Sequence, residues 1–121
     1  MRQVRKFLAI FLLIIIAAPL RAETLETRGY RVVVEQRCAE GNVTCADVRY
    51  QGVSKTSGNS IELIGSTHHS RCKDGSPCRF LGYIFNNGPY RYFVSAEGRL
   101  RVSRQRPQGE EVLINEVGEW R

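Results

Sequence analysis

Histidine is almost absent from this chain of 121 residues, in which only His68 and His69 occur. Because neighbouring residues of a strand point to opposite faces, the two imidazoles cannot easily share a metal ion or a substrate. The serines lack a nucleophile-elbow pattern, and no spacing of Asp and Glu compels two carboxylates to converge. These absences favour a protein that is not an enzyme and that holds no metal ion or cofactor. A minor hydrolase that uses His68 or His69 stays open as an alternative.

Helical periodicity is also missing beyond residue 22, and no repeat of fixed period occurs. Instead all 11 glycines follow that residue and separate short runs rich in Val, Ile, Tyr and Phe. This cadence is typical of short antiparallel strands joined by tight turns. It predicts a small all-β domain of about six or seven strands, a meander that closes either as a barrel or as a sandwich.

The turn residues set the predicted strand limits. The predicted strands are residues 29–38, 43–53, 60–66, 79–85, 90–95, 99–103 and 111–116. Residues 23–27 and 104–110 look loosely ordered. Residues 80–85 are apolar without alternation, so we expect a central strand that is covered on both faces. Gly82 would let another part of the chain approach that strand closely.

The longest apolar run follows a basic amino terminus and covers residues 7–18, before Pro19 and the small Ala22. Its 12 residues would rise about 18 Å as a helix, short of the roughly 30 Å hydrocarbon layer of a membrane. We therefore expect a cleaved signal peptide over residues 1–22 and one domain over residues 23–121. The product would be periplasmic or secreted, without a permanent membrane span; an uncleaved anchor is the alternative.

Four cysteines lie in the predicted exported domain, at Cys38, Cys45, Cys72 and Cys78. An even number in a small exported chain predicts a disulfide framework. A two-residue turn at residues 41–42 would place the first two opposite each other, and a three-residue turn at 74–76 would do the same for the last two. We therefore predict two local bridges, with crossed pairings as the alternative. The spacings fit neither a compact zinc site nor a redox-active pair.

Lysine is scarce in the predicted domain, whereas arginine is not. Residues 23–121 carry 14 basic side chains, 12 of them Arg, against 12 acidic ones. The planar guanidinium suits carboxylates, phosphates and protein interfaces. The predicted binding surface consists of Tyr90, Arg91, Tyr92, Arg99, Arg101 and Arg104. Outside the cytoplasm such a surface would meet a protein or an anionic envelope component rather than a nucleic acid.

An export signal, two bridges and a small β domain are similar in layout to the small periplasmic inhibitors and immunity proteins that block hydrolases. The likeness is one of layout, and no family motif carries it. We therefore expect an exported binding module or inhibitor that is not an enzyme. A structural envelope component that binds an anionic polymer or lipid through its arginines is the second hypothesis.

Overall fold

The computed structural model describes residues 21–121, which form nine β-strands and no helix. The strands are β1 (Arg21–Glu26), β2 (Tyr30–Gln36), β3 (Val48–Ser54), β4 (Ser60–Arg71), β5 (Pro77–Asn87), β6 (Tyr90–Ser95), β7 (Arg99–Arg106), β8 (Gly109–Val117) and β9 (Glu119–Trp120). The all-β prediction is confirmed, although there are more strands than the six or seven expected. This part of the chain contains no apolar helix of membrane-spanning length.

All nine strands belong to one antiparallel sheet, in the order β8-β7-β6-β5-β4-β3-β2-β1-β9. From β1 to β8 each strand pairs with the next, so the predicted meander is confirmed. The sheet curls into a half-barrel because β8 and β9 lie at its opposite edges and are joined by Gly118 alone. The predicted closure is therefore met only in part, and no second sheet stacks on the first within residues 21–121.

The two edges of the sheet meet where β8 passes into β9. The Gly118 amide donates to the carbonyl oxygen of Gly98 at 2.8 Å, which holds the strand end against the β6–β7 turn. A side chain at Gly118 would collide with the backbone carbonyl of Glu26, so only glycine permits this approach. Nearby, the Gly29 amide donates to Glu116 Oε1 at 2.8 Å and fastens the β1–β2 turn to β8.

The core lies on the concave inner face, where every second residue of a strand points. Its largest fully buried side chains are Tyr50, Phe85, Leu25, Leu100, Val32, Val34, Val48, Val94 and Ser103. Residues 80–85 were expected to be covered on both faces, and that prediction is wrong. Tyr83 and Phe85 are buried on the inner face, whereas Ile84 on the outer face is only half-buried. Gly82 does allow a close approach, since a Cβ there would collide with the Val94 carbonyl.

Several predicted strand limits are wrong, and polar residues account for most of the errors. The strand over residues 90–95 is confirmed as β6. Residues 23–27 and 104–110 looked loosely ordered, yet the first lies mostly in β1 and the second spans the β7–β8 hairpin. Residues 43–47 are not a strand, because they belong to the loop between β2 and β3. In residues 23–27 and 104–110 the backbone N–H and C=O groups form hydrogen bonds with neighbouring strands, so these strands form without many apolar side chains.

The predicted signal peptide falls largely outside the described residues, which begin at residue 21. The predicted cleavage point after Ala22 lies within β1, whose first residues pair with the end of β2. Ala22 itself is opposite Glu35.

Both local disulfides that the sequence predicts are confirmed, and they lie at the same end of the half-barrel. Cys38 is bonded to Cys45 with the Cα atoms 5.7 Å apart, and Cys72 to Cys78 with the Cα atoms 5.0 Å apart. The observed β4–β5 turn differs from the predicted one. The Cys72 amide donates to the Ser76 carbonyl, so Cys72 does not lie directly opposite Cys78. Two disulfides are consistent with an oxidising compartment.

Candidate functional site

The outer face of strands β4 to β7 carries a group of apolar side chains that the core does not need. Ile84 of β5 lies directly opposite Phe93 of β6, and Phe93 lies opposite Arg101 of β7. Together with their neighbours they line a shallow concavity of about 450 Å³. We call this region the outer patch and define it as His68, Leu81, Ile84, Arg91, Phe93 and Arg101.

One border of the outer patch is held by a two-pronged ion pair. Arg101 donates to both carboxylate oxygens of Glu110, at 2.6 and 2.9 Å. The hydrogen bonds from Arg101 and then from Ser103 lower the pKa of Glu110 to about 2. Arg91 also lines the concavity but takes part in no salt bridge within residues 21–121. Arg91 therefore forms no close ion pair among the described residues, although Glu97 and Glu110 line the same concavity.

The structure divides the predicted binding surface between the two faces of the sheet. Arg91, Arg99 and Arg101 follow the outer alternation, whereas Tyr92 follows the inner one. Tyr90 pairs directly with Arg104 on the inner side of the alternation. The six residues therefore do not form one surface. Sequence reasoning also missed Ile84 and Leu81, although the absence of alternation in residues 80–85 was a signal of apolar side chains on both faces.

The two histidines lie on opposite faces of β4, as strand alternation predicts. His68 is exposed, and its ring lies edge-on to Phe93 with the centroids 6.0 Å apart. His69 packs against Phe80 at 5.4 Å, and neither of its buried ring nitrogens has a hydrogen-bond partner among residues 21–121. Within that part of the chain no cluster of His, Cys, Asp or Glu has the arrangement of a metal site.

Ser95 lines the same concavity as His68 and is the only serine that does so among the described residues. Its hydroxyl accepts a hydrogen bond from the Arg99 amide at 2.9 Å, which closes the β6–β7 turn. The ring of His68 contacts Phe93, and no hydrogen bond joins it to the Ser95 hydroxyl.

A second region, on the inner face, is a cavity of about 240 Å³ that sequence reasoning did not predict. We call it the inner cavity; its lining residues are Tyr30, Tyr50, Gly52, Ser54, Asn59, Ser60, Ile61, Tyr92, Leu100, Val102 and Ile114. Tyr50 and Tyr83 are buried, whereas Tyr30, Tyr90 and Tyr92 are half-buried.

Tyr50 separates the inner cavity from the core. Its ring centroid lies 5.1 Å from that of Phe85 and 5.5 Å from that of Tyr92. Gly52 makes room for this ring, since a Cβ there would lie 2.6 Å from the Tyr50 hydroxyl. Burial, and then the neighbouring Tyr92 and Tyr30, raise the pKa of Tyr50 far above its usual value, so its hydroxyl stays protonated.

Comparison of the chain with protein-family models, with curated protein sequences and with solved structures gives no match. Function is therefore inferred from the chemistry of the outer patch and of the inner cavity. Of the two, the outer patch is the larger and more accessible, and it holds two of the six residues of the predicted binding surface, Arg91 and Arg101.

Proposed function

We propose that this protein is an exported binding module, of inhibitor or immunity type, that docks on a protein partner through the outer patch. The partner would present an apolar side chain next to a carboxylate. Export to the periplasm or the medium is part of the proposal, and the two disulfides support it. The observation that carries the proposal is the apolar row of Ile84 and Phe93, half-buried on the outer face beside the unpaired Arg91.

The composition of the outer patch resembles that of protein interfaces. Leu81, Ile84 and Phe93 provide an apolar centre, and no element within residues 21–121 packs over it. Aromatic residues and Arg are enriched at interfaces, and apolar patches with a polar border commonly mark contact sites. The strands beneath are hydrogen-bonded on both sides, so the patch is rigid before the partner arrives and little entropy is lost on binding.

Charge complementarity points to a carboxylate on the partner. Arg101 is already held by Glu110, so its guanidinium has little capacity for another anion. Arg91 lies one strand away and has no such carboxylate. An acidic side chain that reaches Arg91 while an apolar neighbour covers Phe93 would satisfy both features.

The alternative of an anionic polymer or lipid as ligand has weaker support. Such ligands need many unpaired cations on one face, as in polybasic surfaces. Arg99 donates to Asn115 at 2.6 Å, Arg101 is paired with Glu110, and Arg106 lies 3.4 Å from Glu111. Of the four arginines in the predicted binding surface, Arg99 and Arg101 are therefore engaged with β8, whereas Arg91 and Arg104 form no ion pair among the described residues. A hydrolase built on His68 or His69 has no supporting contact.

The direct test is photo-crosslinking at defined positions in the intact cell envelope. p-Benzoylphenylalanine would replace Phe93 in one variant and Gln51, an exposed residue of the distant strand β3, in the control. We expect one reproducible protein adduct from position 93 and none from position 51, with the partner identified by mass spectrometry. Adducts with lipid or polysaccharide, or equal adducts from both positions, would refute the proposal.

The affinity of the purified partner then tests the role of charge. Arg91→Glu should weaken binding at least about tenfold, because it opposes the carboxylate that we propose. Arg28→Glu makes the same charge change in the exposed β1–β2 turn and should leave the affinity within about twofold. Equal losses in the two variants, or a steep decline in both with salt, would indicate a general electrostatic attraction instead.

A further inference from the structure

The inner cavity lies at the end of the half-barrel opposite to the disulfides. Strands β2, β3 and β4 form one side through Tyr30, Tyr50 and Ile61, and strands β6 to β8 form the other. The buried ring of Tyr50 closes the bottom. Three polar residues of the β3–β4 connection, Ser54, Asn59 and Ser60, border it, and two of them are exposed. The space is therefore open to solvent at one side and apolar below.

The lining carries no formal charge, since it contains no Asp, Glu, Lys, Arg or His. Burial raises the pKa of Tyr50 and of Tyr92, so both phenols remain neutral at physiological pH. An ion that entered this site would lose its hydration without gaining a counter-charge, which is strongly unfavourable. The occupant that suits the lining is therefore an uncharged molecule.

The volume limits the size of that molecule. An apolar protein cavity of about 150 Å³ holds benzene. By the same ratio, the 240 Å³ of the inner cavity accommodates about nine or ten non-hydrogen atoms, the size of two fused rings.

The chemistry of the wall narrows the choice further. Tyr50 and Tyr92 offer ring edges and faces that pack favourably against another aromatic ring. The Tyr50 hydroxyl can also donate or accept a hydrogen bond, and that of Tyr92, which bonds the Asn87 side chain, keeps capacity for another. We propose that the inner cavity binds a neutral two-ring aromatic molecule that carries one hydrogen-bonding group. This inference does not depend on the proposed protein partner, because the inner cavity and the outer patch share no residue.

Indole is a suitable probe, because it has nine non-hydrogen atoms, no charge and one N–H donor. Titration calorimetry of the disulfide-intact protein should show saturable binding with a dissociation constant below about 1 mM. Indene has the same shape without the N–H and should bind at least about threefold more weakly. Indole-3-acetate adds a carboxylate and should bind at least about tenfold more weakly. Equal affinity for indole and indene would overturn the proposed hydrogen-bonding group. Equal affinity for indole and indole-3-acetate would overturn the requirement for an uncharged ligand.

Matched substitutions on β4 locate the binding. Ile61→Trp would fill the inner cavity and should weaken indole binding at least about tenfold, whereas Ile64→Trp alters an outward residue that is 54% exposed and should change it less than about twofold. Methyl NMR of the unmodified protein gives a second readout: indole should shift Ile61 and Ile114 and spare Ile64 and Ile84. No saturable binding, or shifts confined to the outward isoleucines, would overturn the proposal.

Discussion

Tyr92 and Phe93 are adjacent in the chain, yet they belong to two chemically different regions. Tyr92 lines the inner cavity, where no charged side chain is present, and Phe93 lies in the outer patch between histidine and arginines. The alternation of a β-strand produces this separation, because one residue step moves a side chain through the sheet. One strand, β6, therefore contributes both to the inner cavity and to the outer patch, which we propose as a contact surface.

The largest expected effect concerns the inner face. Tyr50→Ala should lower the free energy of unfolding by about 3 to 5 kcal/mol, because Tyr50 is 2% exposed and packs on Phe85. Urea unfolding measures this loss directly. Tyr50→Phe keeps the ring and should cost about 1 kcal/mol or less. Similar losses in both variants would mean that the hydroxyl, rather than ring packing, supports the inner face.

Removal of a disulfide should have the next largest effect on the free energy of unfolding. The two bridges also allow a buried site to be compared with an exposed one. Replacing Cys38 and Cys45 together by Ala should cost about 2 to 3 kcal/mol, because the unfolded chain gains freedom. Cys45 is also 3% exposed and belongs to the core, so some packing is lost as well. Replacing Cys72 and Cys78 should cost less, since Cys78 is exposed and the closed loop is of similar length. The reverse order in urea unfolding would contradict the assigned burial.

The disulfide pairing could be predicted from the sequence because it depends on short loops. The partners lie only seven and six positions apart in the sequence, and a chain that turns within that length brings their Cα atoms together in almost any turn type. The precise register could not be predicted. The β2–β3 ladder pairs Gln36 with Val48, a register that does not place Cys38 directly opposite Cys45.

The two regions that we assign to function were harder to predict. The alternation of residues 90–95 is visible in the sequence, but the neighbouring Tyr and Arg residues predict one surface, which the structure divides between the two faces of the sheet. The inner cavity brings together Tyr30, Tyr50 and Tyr92 from three strands, and their separation in the sequence conceals this arrangement. This arrangement depends on the curl of the sheet. Gly118 permits the curl at the point where the two opposite edges, β8 and β9, meet.

The smallest expected effect is electrostatic and lies at the border of the outer patch. Glu110 has a pKa lowered from 4.5 to about 2, mainly by Arg101, so the folded state favours the ionised carboxylate. Its contribution to stability is present above pH 4.5 and is lost as the pH falls towards 2. Because the pair is exposed, the change should be small. Arg101→Gln should flatten this part of the curve of unfolding free energy against pH; an unchanged curve would contradict the assignment.

The claim that the outer patch is available for contact, rather than required for folding, is tested most directly by the stability of Phe93→Ala. If Phe93 serves a contact surface, its removal should change the free energy of urea unfolding by about 1 kcal/mol or less, because the ring lies on the outer face and is only half-buried. A loss of about 3 kcal/mol or more, comparable to that of Tyr50→Ala, would show that Phe93 is a structural residue and would contradict the account.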